Sequence, residues 1–577
     1  MTSKKNPVSR KKNKKDSVVS ESVTEPVTAT VSTPLIQESA IKPEESPAPE
    51  TVGIKRPGAL FLVALVLGWL FDFLFWEQAV GINFPIFLTL CLLGGLYWLL
   101  SIGLRPAKKS LWLVAPFLLF AAVTFLRREP LTIFLAFTFT LLSIGLFATS
   151  YLGGRWILYG LLDYCYKFLL FAVDMIARPV QFVLQVRKDQ ASSNTLGKNS
   201  PIWGLLRGFV IALPIVLCFA SLLASADLVF NQKLDEFFED ISENTKRLIL
   251  IVVCAYFLIG VFLHSAARSE DKTLIGENKP FIKSFLGFTE SAVILGSVSV
   301  LFLLFVIVQF QYFFGGENNI GVAGFTYSQY ARRGFNELVI VAFFSLVMIL
   351  GLSALTRRES ELQKRIYSGL SVVLVVLVMI ILVSAFQRIA LGISWHGYSR
   401  LRLYPRIFLI WLGLLFITVV VLEIFRQERF FAFAALLASF GFAISLFLTN
   451  IDAAIIQRNL YRGWHGKNLN VPHLASLSDD AIPLLATEYL YGEMPTSTRQ
   501  GIGAALACYR YFADLPHSST YDWRSFNWSS WQAQRSLEVV RPYLAGYVIR
   551  YNQWPVRVRT PHGELYECEL RTTVEED

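Results

Sequence analysis

The chain is poor in charge. Only 17% of its 577 residues are Asp, Glu, Lys or Arg, against roughly a quarter in an ordinary soluble domain, so a fully water-exposed surface is excluded. Residue sets that name a reaction are missing as well. The six cysteines include no CxxC pair, which excludes the common zinc and thioredoxin-like arrangements. The six histidines, His264, His396, His465, His473, His517 and His562, show no HExxH spacing. The glycines at Gly315, Gly316, Gly321 and Gly324 are not followed by Gly-Lys-Ser/Thr, so they form no phosphate loop. Ser394 and His396 lack the Gly-x-Ser-x-Gly frame of a nucleophile elbow. No metal and no cofactor is expected.

What the chain has instead is apolar length. Hydrophobic residues make up 54% of it. Stretches fit to cross a bilayer, which takes roughly 17–25 apolar residues per helix, lie at 58–76, 82–104, 110–126, 131–152, 204–226, 248–263, 291–310, 338–355, 366–386, 407–424 and 430–448. Backbone groups in lipid must be satisfied within their own segment, so these are helices. The expectation is an all-α integral membrane protein. It has a polytopic bundle of about eleven transmembrane helices (57–450) and a small, mostly helical C-terminal extramembrane domain (451–577). The bilayer is its first partner.

The net charge of +10 is unevenly placed. Lys4, Lys5, Arg10, Lys11, Lys12, Lys14 and Lys15 open the chain without an acidic residue. Beside transmembrane helices such a run sets orientation or touches anionic lipid; with no folded nucleic-acid reader alongside, nucleic acid is not expected as a partner. The first apolar run begins near Gly58, too late for a secretory signal. Residues 1–56, with Pro26, Pro34, Pro43, Pro47 and Pro49, read as a disordered basic and Pro-rich tail.

Basic residues are retained on the cytoplasmic side of membranes. The tail with Lys55 and Arg56 therefore goes inside, as do Arg105, Lys108 and Lys109, then Arg268, Lys272, Lys279 and Lys283, then Arg357, Arg358, Lys364 and Arg365, then Arg426 and Arg429. The turn carrying Glu77 goes outside. The expectation is a multi-pass membrane protein with the N-terminus cytoplasmic. Eleven crossings leave the C-terminus outside.

The segment 156–184 bears on that count. Asp163 and Lys167, and Asp174 and Arg178, are spaced four apart in the favourable acid-first order and share one stripe. This favours a helix lying in the interface; the alternative is a twelfth span with its ionic stripe turned inward. Cys91, Cys218 and Cys254 lie in spans and Cys165 in this helix, as small core residues. Pairing of Cys508 with Cys568 depends on the side they face.

Three polar clusters follow. In the first, Thr326 and Gln329 match a capping box, and the helix they open places Tyr327, Tyr330, Arg333 and Glu337 on one face, with Arg332 adjacent. An aromatic belt explains this; so does a binding face for an anionic lipid headgroup. The second holds Arg388, Ser394, Trp395, His396, Tyr398, Arg400, Arg402, Tyr404 and Arg406, either extended or helical from Tyr398 onward, with Pro405 opening the tenth span. The third holds Asn450, Asp452 and Asn459, then Ser478 as an N-cap with Asp479 and Asp480 in the first turn. Paired carboxylates can serve acid–base chemistry, but the helix start is reason enough for both acids. Asp72, beside Trp69 and Trp76 near the outer end of the first span, is expected to snorkel to the interface.

Beyond the last span, helices are expected near 452–461, 478–489, 497–512 and 529–543, and strands at 547–551 and 556–559, with 564–571 completing a hairpin. Trp523, Phe526, Trp528 and Trp531 suit a small core or the membrane interface.

The strings Tyr327-Ser-Gln-Tyr-Ala-Arg-Arg-Gly-Phe-Asn-Glu337, Arg400-Leu-Arg-Leu-Tyr404, Asn450-Ile-Asp and Leu477-Ser-Asp-Asp-Ala-Ile-Pro483 resemble a bacterial multipass membrane family, domain of unknown function 4173, related to the group numbered 4153. The similarity covers roughly 58–540. The resemblance implies a bacterial protein of the cytoplasmic (inner) membrane and carries no established activity. The functional expectation is a non-enzymatic envelope protein, a scaffold, regulator or sensor partner. The alternative is a membrane-embedded enzyme, or a transporter or flippase, acting on an anionic phosphate-linked lipid at the outer face.

Overall fold

The computed structural model describes residues 57–191, 212, 216, 219–239, 242–272, 274–275, 277, 284–314, 335–465, 470–514, 522–551 and 555–568. Nine helices among the described residues are long and apolar enough to span a membrane. In chain order the helices are α1 (Pro57–Phe75), α2 (Asn83–Ser101), α3 (Val114–Leu126), α4 (Pro130–Thr149), α5 (Leu161–Ala191), α6 (Leu228–Glu239), α7 (Glu243–Ala267), α8 (Phe288–Phe314), α9 (Phe335–Leu355), α10 (Glu361–His396), α11 (Arg400–Ile424) and α12 (Phe431–Thr449). Those that span are α1, α2, α4 and α7–α12. The third expected span is shorter, a 3-10 turn (Ser110–Leu113) running into α3. Of the fifth, 204–226, only 212, 216 and 219–226 are among the described residues, and these are helical.

Local sequence explains the helix starts. Glu129 caps α4, accepting the Leu131 and Thr132 N–H groups at 2.9 and 2.8 Å ahead of Pro130. Ser360 and Gln363 form a capping box on α10. Asn450, left-handed at φ 45°, ends α12, and its side chain caps the next helix.

Two ends of the bundle can be told apart by what joins them. At one end the Ala107 N–H reaches Tyr151 O at 2.8 Å and the Gly153 N–H reaches Ser269 O at 2.7 Å. Arg155 pairs with Glu277 there, Arg429 Nε donates to Leu158 O and Arg358 pairs with Glu423. Most of the basic turns gather at this end. The opposite end carries the turns 76–82, 127–129 and 397–399 and meets the C-terminal segment: the Ile82 N–H bonds Phe526 O at 2.9 Å, and Arg524 Nη1 bonds Phe73 O at 2.6 Å.

The C-terminal segment contains α13 (Ile451–Trp464), α14 (Val471–Ala475), α15 (Ile482–Tyr491), α16 (Thr496–Ala513), α17 (Trp528–Val540) and an antiparallel sheet of β1 (Val548–Arg550), β2 (Arg557–Arg559) and β3 (Leu565–Glu567) in the order β1-β2-β3. Its core, with Ile455, Leu485, Leu506 and Val558 buried, continues into the bundle at Leu403 and Leu446. Cys508 on α16 is bonded to Cys568 just after β3.

Several expectations are corrected. The 156–184 helix is broken at Tyr159 and Gly160, so a 3-10 turn (Trp156–Leu158) precedes α5. Only one of its two expected pairs forms: Arg178 meets Asp174 at 3.0 Å, but Lys167 turns to Asp271 while Asp163 accepts the Gly160 and Ile275 N–H groups. Pro405 lies inside α11 rather than opening it, because the helix begins at Arg400. Asp72 does not snorkel. It is buried and held by Arg247 Nε and Nη2, with the shortest contact at 2.7 Å, since a carboxylate this deep needs a cation more than it needs the interface. Trp523 and Trp528 are exposed rather than core, and Trp523 lies against Phe73 of α1.

Candidate functional site

The end of the bundle that meets the C-terminal segment gathers residues from two of the three expected clusters. Arg400, in the first turn of α11, forks onto Asp452 of α13, with Nε to Oδ1 at 2.8 Å and Nη2 to Oδ2 at 2.5 Å. Asp452 is fully buried. Its Oδ2 also accepts the Ser478 backbone N–H at 2.8 Å and the Ser478 hydroxyl at 2.5 Å. Ser478 therefore spends its hydroxyl on Asp452 rather than on the helix start it was expected to cap, and its side chain makes no cap hydrogen bond.

Asp480, two residues on, serves the bundle. Its Oδ2 accepts the N–H groups of Arg128 and Glu129 at 2.8 and 2.9 Å, and Arg127 Nη1 lies 3.7 Å from Oδ1. Burial pushes the Asp480 carboxyl above the usual carboxylate range, against the pull of the Arg128 N–H and the Arg127 charge. Asp479 accepts the Ser530 hydroxyl at 2.6 Å, and that same oxygen accepts Arg128 Nε at 3.2 Å. Tyr404, one turn into α11, donates its hydroxyl to Glu129. Asn459 brackets the α10–α11 turn, accepting the Tyr398 N–H and donating to Tyr398 O, both at 2.8 Å. Arg402 Nη1 donates to Gly397 O at 3.0 Å, and Asn527 Nδ2 donates to Arg127 O at 3.3 Å.

Arg400, Arg402, Tyr398, Tyr404, Asn450, Asp452, Asn459, Asp479 and Asp480 are thus assembled, with the stretch from Arg400 helical rather than extended. Arg388 is buried in α10. Glu337 is an exposed residue of α9. Tyr327, Tyr330, Arg332 and Arg333, with the capping box at Thr326 and Gln329, lie outside the described residues.

Sequence reasoning missed Arg127, Arg128 and Glu129. The signal was available: Arg-Arg-Glu-Pro packs three charges into the short turn between two apolar runs, where lipid-facing chain tolerates none without partners.

The cluster's charge decides what it can attract. Asp452, Asp479, Asp480 and Glu129 give four acids; Arg127, Arg128, Arg400 and Arg402 give four cations, so the formal charges balance. Each of these cations already has a partner inside the protein. The arrangement is a clamp between bundle and C-terminal segment, poorly suited to a phosphate. No group of three or more His, Cys, Asp or Glu placed to hold a metal ion occurs among the described residues.

These features define an all-α polytopic membrane protein whose polar residues concentrate where an extramembrane helical segment meets the bundle. A family model described as a domain of unknown function, DUF4153, matches residues 114–488, and the chain belongs to that family. The matched range takes in Arg127–Glu129, Arg400, Asp452 and Asp480 but not Asn527 or Ser530, and the family is the relative of the 4173 group that the sequence resembled. Comparison with curated proteins and with solved structures returns no match.

Proposed function

We propose that the chain is a non-enzymatic scaffold of a bacterial envelope, holding a disulfide-stapled helical domain against the outer face of the cytoplasmic membrane as a platform for a protein partner. The observation that carries this reading is the commitment of the cluster's charges to one another across the junction of bundle and domain. Such a junction fixes the domain's orientation and commits Arg400 and Arg127 to Asp452 and Asp480. The alternative, chemistry on a phosphate-linked lipid, calls on Arg332, Arg333, Arg400 and Arg402 as anion ligands; the first two lie outside the described residues, and Arg400 and Arg402 are engaged with Asp452 and Gly397 O.

The orientation follows from two separate features. Arg105, Lys108, Lys109, Arg155, Arg268, Arg357, Arg358, Arg426 and Arg429 belong to turns at one end of the bundle, as expected for the cytoplasmic side. The Cys508–Cys568 bond is at the other end, as expected for an oxidising compartment. The described part of α5 touches the basic end at Asp271 and packs on Phe61 in the second turn of α1, which suits an interfacial helix. The chain must still reach the opposite end before α7, where Arg247 meets Asp72. The chain therefore changes ends between Ala191 and Glu243, in keeping with the eleven crossings expected from the sequence.

Alkaline phosphatase or green fluorescent protein fused after residue 577 tests the arrangement in a bacterial host. The expected result is an active phosphatase and a dark fluorophore. In denatured extracts of those cells a maleimide should label Cys508 and Cys568 only after reduction, since both are buried in the folded domain. A fluorescent fusion with silent phosphatase would overturn the orientation. Release of phosphate from purified undecaprenyl or glycerol phospholipids by the isolated protein would overturn the scaffold reading.

A further inference from the structure

A cavity of about 310 Å³ lies within the membrane-spanning bundle, walled by α2, α4 and α7 and closed on one side by α5. Its wall on α2 runs from Phe87 to Leu99, twelve helical steps or about 18 Å. On α4 it runs from Leu141 to Ala148, with Tyr151 just past the helix end, and Phe171 and Met175 line it from α5. The stretches on α4 and α7 (Leu258 to Ser265) occupy the half of each helix that lies toward the basic turns, while that on α2 takes in most of the helix. One leaflet's hydrocarbon is half of a core about 30 Å thick, or ~15 Å, so the slot has the length of a single acyl chain in that leaflet.

Its lining is apolar almost throughout. Of the polar side chains that reach it, the Tyr151 hydroxyl donates to Leu104 O at 3.1 Å and the Ser265 hydroxyl to Val261 O at 3.0 Å. Neither has a proton left for a ligand. Water needs two to four polar partners to occupy a cavity, and an apolar cavity stays dry. An empty one forfeits the dispersion contacts of every atom around it. Leu141, at the rim, is 52% exposed on the surface that faces lipid, so the medium beside the opening is hydrocarbon.

We propose that this slot holds one acyl chain of a membrane phospholipid, drawn from the leaflet on the side of the basic turns. The proposal is independent of the scaffold reading. It requires only that the bundle sits in a bilayer.

The test uses the full chain reconstituted into phosphatidylcholine vesicles carrying a trace of phospholipid with a photoactivatable diazirine near the end of one acyl chain. After irradiation, adducts are mapped by peptide mass spectrometry. The expected result is a concentration of adducts on 87–99 and 141–151. Filling the slot with Ala148→Phe on α4, or separately Cys91→Phe on α2, should cut those adducts by about tenfold and leave labelling of lipid-facing Trp112 unchanged. Adducts spread evenly over outward residues such as Leu62, Leu93 and Trp112 would overturn the proposal. So would slot adducts that persist in both variants. Should neither variant fold, the wild-type map decides.

Discussion

Replacing Arg400 with Met is the sharpest probe of the junction. The guanidinium supplies two of the four hydrogen bonds on the Asp452 carboxylate; the other two come from Ser478. Asp452 is buried, and the Arg400 side chain is 24% exposed. Removing one partner of a buried ion pair costs about 3–5 kcal/mol, because the remaining charge is stranded. The two bonds from Ser478 and the partial exposure of Arg400 place this site at the lower end, ~3 kcal/mol. At about 1.4 kcal/mol per tenfold, that is a factor of roughly 100–200 in the population of opened junctions. Hydrogen exchange of the Ser478 and Glu129 amides in nanodiscs reads it directly, since those N–H groups donate to Asp452 and Asp480. Adding Asp452→Asn to Arg400→Met should recover part of the loss by removing the stranded charge. Exchange that changes less than about twofold in the single variant, against the 1.4 kcal/mol per tenfold scale, would refute the argument. A double variant as open as the single one would also refute it.

Gly397 adopts φ 83° and ψ −178°, a region open to glycine alone, and a Cβ there would lie 2.7 Å from Asn459 Oδ1. Gly397→Ala should therefore lower stability by about 1–3 kcal/mol, measured as a reduced melting temperature in detergent. Asp480 gives a pH prediction. Its carboxyl is held above the ordinary value of 3.8 by burial, so between that value and its own the folded state binds the proton more tightly than the unfolded chain. Its contribution should be largest at low pH and fall as pH rises through this interval. Melting temperature plotted as wild type minus Asp480→Asn should slope downward there, and an upward slope would contradict the assignment.

The membrane architecture was legible because lipid imposes a simple rule: long apolar runs become helices, and nine of the eleven expected spans appear among the described residues. The junction was legible only in parts. Arg400, Asp452 and Asp480 each stood out as charges close to spans, yet their mutual contact depends on how α10, α11 and α13 return to one face. No local pattern encodes that return. Asp72 shows the same limit. Its position invited an interfacial reading, and its partner Arg247 is 175 residues away. The disulfide was left open because it depended on a side of the membrane, a property of the whole chain rather than of either cysteine.

Arg462 of α13 donates to the carbonyls of Ser394 and Trp395, and Asn459 holds both backbone groups of Tyr398. Carbonyls at a helix C-terminus have no partner within the helix, so α10 borrows its closing bonds from a segment made more than sixty residues later. During synthesis the ninth expected span can enter the membrane before its rim is finished. A chain cut off just after α12 would carry all its spans and still leave that rim frayed, so quality control that reads the rim can distinguish an incomplete polypeptide from a mature one.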